Sequence, residues 1–293
     1  MGPLLIIDGH AYAYRAFYAI RSLRSPAGRP TNAIFGFIKM LEKLRSVLRP
    51  EYVAVIWDGG LSAERMALLP AYKAGRPETP ADLTIQFDEI IAYLQAAGVV
   101  SGRRHGVEAD DYIASLARRA ERAGVPVIIA SADKDFMQLV SPGIGLFTPH
   151  DQTGAVWTRV QVREKTGVEP EQVVDWLSLM GDAVDNIPGV PGVGSKTAAG
   201  LLERFGSVVN LLARLPEVQP ERLRQALAGA EDLLRRNLQM VRLRDDLPCD
   251  FSPVELAEKS ADAGRLRELF ACWGFKGMAA ALEGAGGRQA VLI

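Results

Sequence analysis

The sequence predicts an α/β fold in which a central, mostly parallel sheet is flanked by helices and followed by a helical subdomain. Three short apolar runs have the length and composition of strands that are buried on both faces; they are residues 4–7, 53–57 and 125–130. Apolar residues between them repeat at three- and four-residue steps, as in residues 33–44, 85–94 and 112–120. This alternation is typical of parallel strands joined by crossover helices.

Strand signals fade beyond about residue 165, while helical patterns recur at residues 171–180, 195–204, 230–240 and 265–273. We therefore predict an α/β domain over residues 1–165, a helical subdomain over residues 166–283 and a tail over residues 284–293. No linker rich in proline, glycine or serine separates the first two. We expect them to pack closely.

Composition excludes several classes of protein. The 293 residues include two cysteines, Cys249 and Cys272, which form neither a disulfide framework nor a zinc-binding spacing. No apolar run approaches the ~20 residues that a membrane-spanning helix needs. We expect a cytoplasmic protein without membrane contact.

Nine carboxylates fall in five short groups, each where a predicted strand ends or a helix begins: Asp8; Asp58; Glu108, Asp110 and Asp111; Asp133 and Asp135; Asp182 and Asp185. The carboxyl ends of parallel strands meet at one edge of a sheet, so these groups are predicted to converge. Neighbouring carboxylates disfavour one another's ionisation unless a cation lies between them. The pattern predicts a site for Mg²⁺ or Mn²⁺. For the acids that precede helices, ordinary helix capping is the alternative.

The surroundings of this acidic group are basic. Residues 9–50 hold eight cations, among them Arg15, and a single acid, Glu42. A basic surface beside an acidic focus suits a polyanion held at a metal centre, although solvated helix faces would give the same local pattern.

A glycine-punctuated loop opens a predicted helix in the second half of the chain. Its backbone N–H groups, hydroxyls and lysine can hold a phosphate without reading a base; the candidates are Gly192, Gly194, Ser195, Lys196 and Thr197. The run resembles a P-loop, but it does not follow a strand with the required glycine spacing. We predict contact with a nucleic-acid backbone.

Seven motifs in order resemble the 5′-nuclease family: residues 8–10 (DGH), 30–33 (PTNA), Asp58, 72–76 (YKAGR), 108–111 (EADD), 132–135 (ADKD) and 181–189 (GDAVDNIPG). This family comprises the 5′→3′ exonuclease domain of bacterial DNA polymerase I, phage 5′-nucleases and flap endonucleases. The similarity extends from Leu4 to about Glu283 and is greatest to the polymerase I domain.

The resemblance implies a PIN-like fold whose acids hold two Mg²⁺ or Mn²⁺ ions. Asp8, Asp58, Glu108, Asp110 and Asp111 would surround one ion, and Asp133, Asp135, Asp182 and Asp185 the second. A helix–three-turn–helix motif at residues 181–205 would grip duplex DNA and hold a monovalent cation such as K⁺. Residues 62–82 would form an arch, with Lys73 and Arg76 on the scissile phosphate and Tyr72 stacked on a base.

The implied activity is that of a structure-specific 5′ nuclease acting on flaps, nicks and primers in replication and repair. Because Mg²⁺ takes only one or two carboxylates directly, some of the nine acids must act through water. Asp8, Asp58, Asp110 and Asp133 are assigned to catalysis, with Lys73 and Arg76. We expect a monomer that works with a DNA polymerase, fused or separate. The alternatives are a junction-binding module with little catalysis and a PIN-type RNase.

Overall fold

The computed structural model describes residues 2–149, 154–249, 255–257 and 259–285. Its centre is a five-stranded sheet in the order β3-β2-β1-β4-β5, with every neighbouring pair parallel. The strands are β1 (Leu4–Asp8), β2 (Tyr52–Trp57), β3 (Val100–Arg103), β4 (Val127–Ala130) and β5 (Ile144–Phe147). The predicted fold class is confirmed.

The register aligns the carboxyl ends of the three central strands. Ile7 of β1 lies beside Val55 of β2 on one side and Ala130 of β4 on the other. The residues that follow these strands therefore emerge at the same edge. β3 and β5 were not predicted, because each is a four-residue edge strand interrupted by a glycine.

Helices cover both faces of the sheet: α1 (Gly9–Ala19), α2 (Asn32–Leu48), α3 (Ala63–Leu68), α4 (Ala81–Ala96), α5 (Ala109–Arg122) and α6 (Arg159–Thr166). Successive side chains of a strand point to opposite faces. Accordingly Leu4 and Ile6 join the core beneath α5, while Leu5 and Ile7 join the core beneath α1, α2 and α4.

The second part of the chain is helical, as predicted, with α7 (Val173–Met180), α8 (Ser195–Phe205), α9 (Val208–Ala213), α10 (Glu221–Ala228), α11 (Glu231–Met240), α12 (Ala263–Trp273) and α13 (Lys276–Ala285). Two-residue strands β6 (Gly181–Asp182) and β7 (Ile187–Pro188) pair antiparallel between α7 and α8. Buried residues of α7 to α11 share the α5-side core.

The last two helices pack elsewhere. Phe270 of α12 lies 6.2 Å from the ring of Tyr93 on α4, and Phe275 lies 5.3 Å from Phe35 on α2. The predicted subdomain of residues 166–283 is therefore shared between the two faces of the sheet. α13 includes the first two residues of the predicted tail, and residues 286–293 lie outside the described part of the chain.

The segment predicted to form the arch, residues 62–82, consists of short elements joined by turns. It contains α3, a series of turns over residues 70–75 and the start of α4. Arg65, Tyr72 and Lys73 in this segment are 4–7% exposed and pack against the rest of the protein, whereas residues 74–79 are exposed. Among the described residues, no helix combines the length and the apolar character that crossing a bilayer requires.

Candidate active site

Two aspartates mark the ends of β1 and β2. Asp8 is the N-cap of α1: its Oδ1 accepts a hydrogen bond from the Ala11 amide at 3.0 Å, and its Oδ2 accepts one from the Ser131 hydroxyl at 3.1 Å. Asp58 Oδ1 accepts from the Gly60 amide at 2.8 Å. Each carboxylate is thus oriented by the turn that ends its strand.

A second pair of aspartates follows β4, where a short 3₁₀ helix begins. Asp133 Oδ1 accepts from the Asp135 amide at 2.9 Å. Asp135 Oδ1 is buried and accepts no hydrogen bond from the described residues. A buried carboxylate oxygen without a donor is costly, which is a reason to look for a cation as its partner.

The third pair lies on the hairpin between α7 and α8. Asp182 Oδ1 accepts from the Val184 amide at 2.9 Å, and its Oδ2 lies 3.0 Å from Lys134 Nζ. Asp185 Oδ1 lies 2.5 Å from Arg76 Nη2. The hairpin therefore delivers two further carboxylates, each already paired with a cation.

The pKa values show that these groups face one another. Burial, together with Asp133 and Asp58, raises the pKa of Asp8 to about 6. Burial also raises the pKa of Asp110 and Asp135 well above the usual range, with Asp133 the strongest charged neighbour of both. The pKa of Asp133 is raised by burial and then by Asp185 and Asp182. Four of the nine predicted acids thus have a raised pKa, and three more, Asp58, Asp182 and Asp185, are charged neighbours of these four.

This group, which we call the acid cluster, consists of Asp8, Asp58, Asp110, Asp133, Asp135, Asp182 and Asp185. Within the described residues, no three of these side chains already form a closed ligand set for one ion. Lys134 and Arg76 draw Asp182 and Asp185 towards themselves. The cluster still fits divalent ions, because its donors are all oxygens, four have pKa values raised by burial and like charge, and one buried oxygen lacks a donor.

Glu108 and Asp111 have other partners, which differs from the predicted ligand role. Arg65 Nη1 donates to Glu108 at 2.6 Å, and Nη1 and Nη2 together donate to both oxygens of Asp111 at 2.8 and 2.7 Å. The Arg244 amide also donates to Asp111. Because these contacts occupy its carboxylate, Asp111 is a counter-ion of Arg65 in this structure, and Glu108 is shared between Arg65 and Lys73.

The three predicted arch residues lie at the rim of the acid cluster. Lys73 Nζ is 3.2 Å from Glu108 and 3.8 Å from Asp185. The Tyr72 hydroxyl donates to the same two carboxylates at 3.1 and 3.3 Å. The Tyr72 ring is 4% exposed and belongs to the core, so the expectation that it stacks on a base is wrong for this conformation. Arg76 remains 43% exposed in its side chain.

The glycine-rich loop joins β7 to α8. Gly192, Gly194, Ser195 and Lys196 are exposed, and Gly192 adopts a φ of +80°, which suits a residue without a side chain. Trp176 of α7 donates to the Ser195 carbonyl at 3.2 Å and so ties the loop to the preceding helix. Thr197 is half-buried in the first turn of α8. Arg15 lies on α1, where its guanidinium donates to the Pro149 carbonyl.

A glycine substitution should test how tightly this hairpin is built. A Cβ on Gly189 would lie 1.9 Å from the Met180 carbonyl oxygen, whereas a Cβ on Gly200 in α8 would meet nothing within 4 Å. We expect Gly189→Ala to lower the free energy of unfolding by about 1–3 kcal/mol, and Gly200→Ala to leave it unchanged or raise it by about 0.5–1 kcal/mol. Urea unfolding of both variants measures this. Equal free energies of unfolding for the two variants would show that the hairpin backbone can move to accommodate a Cβ at Gly189.

Several residues at the site were not predicted. Ser131 and Lys134 flank Asp133 in the sequence, so proximity to a candidate acid could have identified them. His10 accepts a hydrogen bond from the Asp58 amide through Nδ1. Arg65 carries no local signal, because its importance depends on carboxylates more than 40 residues away.

Two family models match the chain. The model described as 5′–3′ exonuclease, N-terminal resolvase-like domain, matches residues 3–167, and the one described as 5′–3′ exonuclease, C-terminal SAM fold, matches residues 168–264. A 5′–3′ exonuclease of Aquifex aeolicus is 39% identical over 92% of this chain and 91% of its own length. DNA polymerase I of Bacillus caldotenax is 38% identical over 96% of this chain, but the chain spans only 32% of that protein.

Solved structures agree with the family models. A phage T5 5′-exonuclease with bound divalent zinc ions is 27% identical, with a TM-score of 0.69 over 83% of this chain and 90% of that chain. The catalytic core of Rad2 in complex with a DNA substrate shares the fold at 17% identity, with a TM-score of 0.61 over 94% of this chain and 88% of its own. The chain therefore belongs to the 5′–3′ exonuclease family and is a nuclease of the hydrolase class.

Proposed function

We propose that this protein is a structure-specific 5′ nuclease that hydrolyses phosphodiesters at 5′ flaps, nicks and primers. The observation that supports this most directly is the acid cluster, whose seven carboxylates come from five separate segments of the chain and meet at one edge of the sheet. The glycine-rich loop between β7 and α8 adds exposed residues, among them a lysine. The combination suits a phosphate chain held against divalent ions.

The acid cluster would hold two Mg²⁺ or Mn²⁺ ions. Asp8, Asp58 and Asp110 would serve one ion, and Asp133, Asp135, Asp182 and Asp185 the other, with several acting through water. When bound, such ions activate water and neutralise charge on the leaving oxygen. The T5 relative was solved with divalent zinc ions, which supports divalent-ion binding but leaves the number of ions and their ligands as a proposal. A K⁺ ion at the glycine-rich loop remains a prediction.

The chain's own residues would bind and orient the substrate. Lys73 and Arg76, which both lie near Asp185 at the rim of the cluster, would neutralise the non-bridging oxygens of the scissile phosphate. Arg76 would first have to exchange Asp185 for the phosphate. The exposed glycine-rich loop would contact the DNA backbone away from the cut, through the amides of Gly192 and Gly194 and through Ser195 and Lys196. Thr197 and Arg15 are further candidates.

Partners and biological role follow from the relatives only as proposals. Polymerase I relatives suggest that a DNA polymerase, fused or separate, uses the product of this nuclease. A Rad2 relative and a T5 relative were solved with DNA, which supports DNA as the substrate; its branched or flapped form stays a prediction. A role in replication and repair, a monomeric state and a cytoplasmic location stay predictions.

A cleavage assay tests the proposal. Labelled flapped, nicked, blunt and single-stranded DNA is incubated with Mg²⁺, Mn²⁺ or EDTA. We expect cutting near the flap junction with either ion, products ending in 5′-phosphate and 3′-hydroxyl, and none with EDTA. Restoring Mg²⁺ after chelation should restore cleavage, because the ions bind an already folded site.

Controls separate the alternatives. Glu268→Gln, on the exposed face of α12, should cut like the wild type. Binding of flaps without cleavage under any ion would identify a junction-binding module, and preferential cutting of single-stranded RNA would identify an RNase. Either result would refute the proposal.

A further inference from the structure

Arg65 is the most completely bonded cation at the site. It is 5% exposed, and all five of its N–H groups donate: to Glu108, to both oxygens of Asp111, and to the carbonyls of Met240 and Arg242. A guanidinium is the side chain best suited to such fixed, branched bonding. One residue of α3 thereby joins the first turn of α5 to the end of α11.

Glu108 connects Arg65 to Lys73 at the rim of the acid cluster. Arg65 Nη1 and the Tyr72 hydroxyl both donate to Glu108 Oε2, so that oxygen is held from two sides. The other oxygen, Oε1, accepts a hydrogen bond from the Ser62 amide at 3.4 Å and lies 3.2 Å from Lys73 Nζ. Arg65 makes the shortest of these hydrogen bonds, at 2.6 Å, and so helps to fix the orientation of Glu108 and with it the position of the Lys73 ammonium.

Lys73 is held by its main chain and by the groups that surround its ammonium. Its backbone sits in a left-handed turn with φ of 56°, and its amide donates to the Asp185 carbonyl at 3.0 Å. These contacts fix the main chain, while the side chain is 4% exposed and its ammonium lies 4.9 Å from the centre of the Tyr72 ring. Of the two carboxylates that pair with this ammonium, Glu108 is the nearer, at 3.2 Å, and Asp185 Oδ2 lies at 3.8 Å.

We infer that Arg65 is a positioning residue of the nuclease: through Glu108 it holds the Lys73 ammonium at the edge of the acid cluster, where the scissile phosphate binds. The inference rests on the proposed role of Lys73. It assigns Arg65 and Glu108 no contact with the substrate. Their contribution is to the rate of cleavage rather than to the affinity for DNA.

Charge balance decides which variants can test this. Four side chains that are at most 7% exposed carry two positive and two negative charges: Arg65, Lys73, Glu108 and Asp111. Arg65→Met alone would strand a buried carboxylate and destabilise the fold. Arg65→Met with Asp111→Asn keeps the balance, and asparagine keeps an oxygen for the Arg244 amide.

The experiment compares the wild type, R65M/D111N, E108Q and the triple variant R65M/D111N/E108Q. The last two leave one positive charge without its partner among these four side chains, so their cleavage rates are compared only at a temperature where both are shown to be folded. Each is measured by thermal unfolding, by flap binding in EDTA and by single-turnover cleavage with Mg²⁺. We expect R65M/D111N to remain folded and to bind DNA within about threefold of the wild type. Its cleavage rate should fall about 100-fold, as a misplaced catalytic group typically causes.

Non-additivity is the decisive readout. If Arg65 acts through Glu108, E108Q slows cleavage by a similar factor and the triple variant is no slower than E108Q. A merely structural Arg65 would lower the unfolding temperature without this pattern. Wild-type cleavage by folded R65M/D111N, or losses that multiply in the triple variant, would overturn the inference.

Two further variants keep the outcomes distinguishable. If R65M/D111N unfolds at the assay temperature, R65K replaces it. Lysine keeps the positive charge but cannot reach both carboxylates and both carbonyls at once. We expect R65K to lose cleavage rate selectively, and full activity of R65K would refute the inference. K73A tests the proposed function itself, since Glu108 keeps Arg65 and Tyr72 there. An active K73A refutes the role of Lys73, whereas a slow K73A beside a fast R65M/D111N refutes only that of Arg65.

Discussion

Asp110→Asn is expected to reduce single-turnover cleavage of a flap by about 10²–10³-fold. Asp110 lies in the first turn of α5, and its charged neighbours are Asp133, Asp8 and Asp135 from two other segments, together with Lys73. Among the seven acids it therefore links the group near Asp8 to the group near Asp133. Losing its charge should weaken the hold on divalent ions at the centre of the cluster.

The affinity of Asp110→Asn for DNA should not fall with its cleavage rate. Removing one negative charge from a site that faces a polyanion lowers the repulsion, so binding of a flap in EDTA should be unchanged or tighter. Asp88→Asn is the matched control, because Asp88 is an exposed aspartate on the helix α4. Cleavage by Asp110→Asn within about threefold of the wild type would remove Asp110 from the site.

The sheet and the convergence of acids could be predicted because both follow from local patterns. Residues 4–7 and 53–57 are short apolar runs, and an aspartate directly follows each strand or lies in its last position. Parallel pairing then brings Asp8 and Asp58 to one edge without further information. β3 escaped prediction because Ser101 and Gly102 interrupt its apolar pattern at the edge of the sheet.

Which acids face the acid cluster and which pair with Arg65 could not be predicted, because this depends on residues that are distant in sequence. Asp110 and Asp111 are adjacent in sequence, yet successive residues of a helix point about 100° apart. One carboxylate consequently faces the acid cluster and the other faces Arg65. No sequence pattern marks Arg65 as the partner. The burial of Tyr72 was missed for the same reason, since its hydroxyl partners, Glu108 and Asp185, come from remote segments.

The cost of the acid cluster should appear as an unusual pH dependence of stability. The pKa of Asp8 is raised to about 6 in the folded protein from 3.8, so the folded state binds more protons than the unfolded state between these values. The Asp8 penalty is thus present in full above pH 6 and is relieved as pH falls towards 3.8. Asp110, Asp133 and Asp135 act in the same direction, since their pKa values are also raised.

Other groups around Asp8 set the size of the effect. Burial lowers the pKa of His10, which destabilises the folded state as pH falls through 6.5 and opposes the aspartates. Asp58 and Asp133 face Asp8 as negative charges, and the Ser131 hydroxyl and Ala11 amide stabilise its ionised form. The raised pKa values of four aspartates thus oppose the lowered pKa of one histidine. We therefore expect the free energy of unfolding in EDTA to increase on going from pH 7.5 to pH 5, with about 1 kcal/mol from Asp8 alone.

Divalent ions should cancel this behaviour. Ions bind the deprotonated carboxylates of the folded state, so the stabilisation by Mg²⁺ should be larger at pH 7.5 than at pH 5. Urea unfolding at both pH values, with Mg²⁺ and with EDTA, measures the difference. In Asp8→Asn, asparagine still caps α1, so the variant should fold and lose about 1 kcal/mol of the pH dependence in EDTA. An Mg²⁺ effect that is equal at the two pH values would mean that the acid cluster does not bind the ion, because binding there requires the carboxylates to lose their protons.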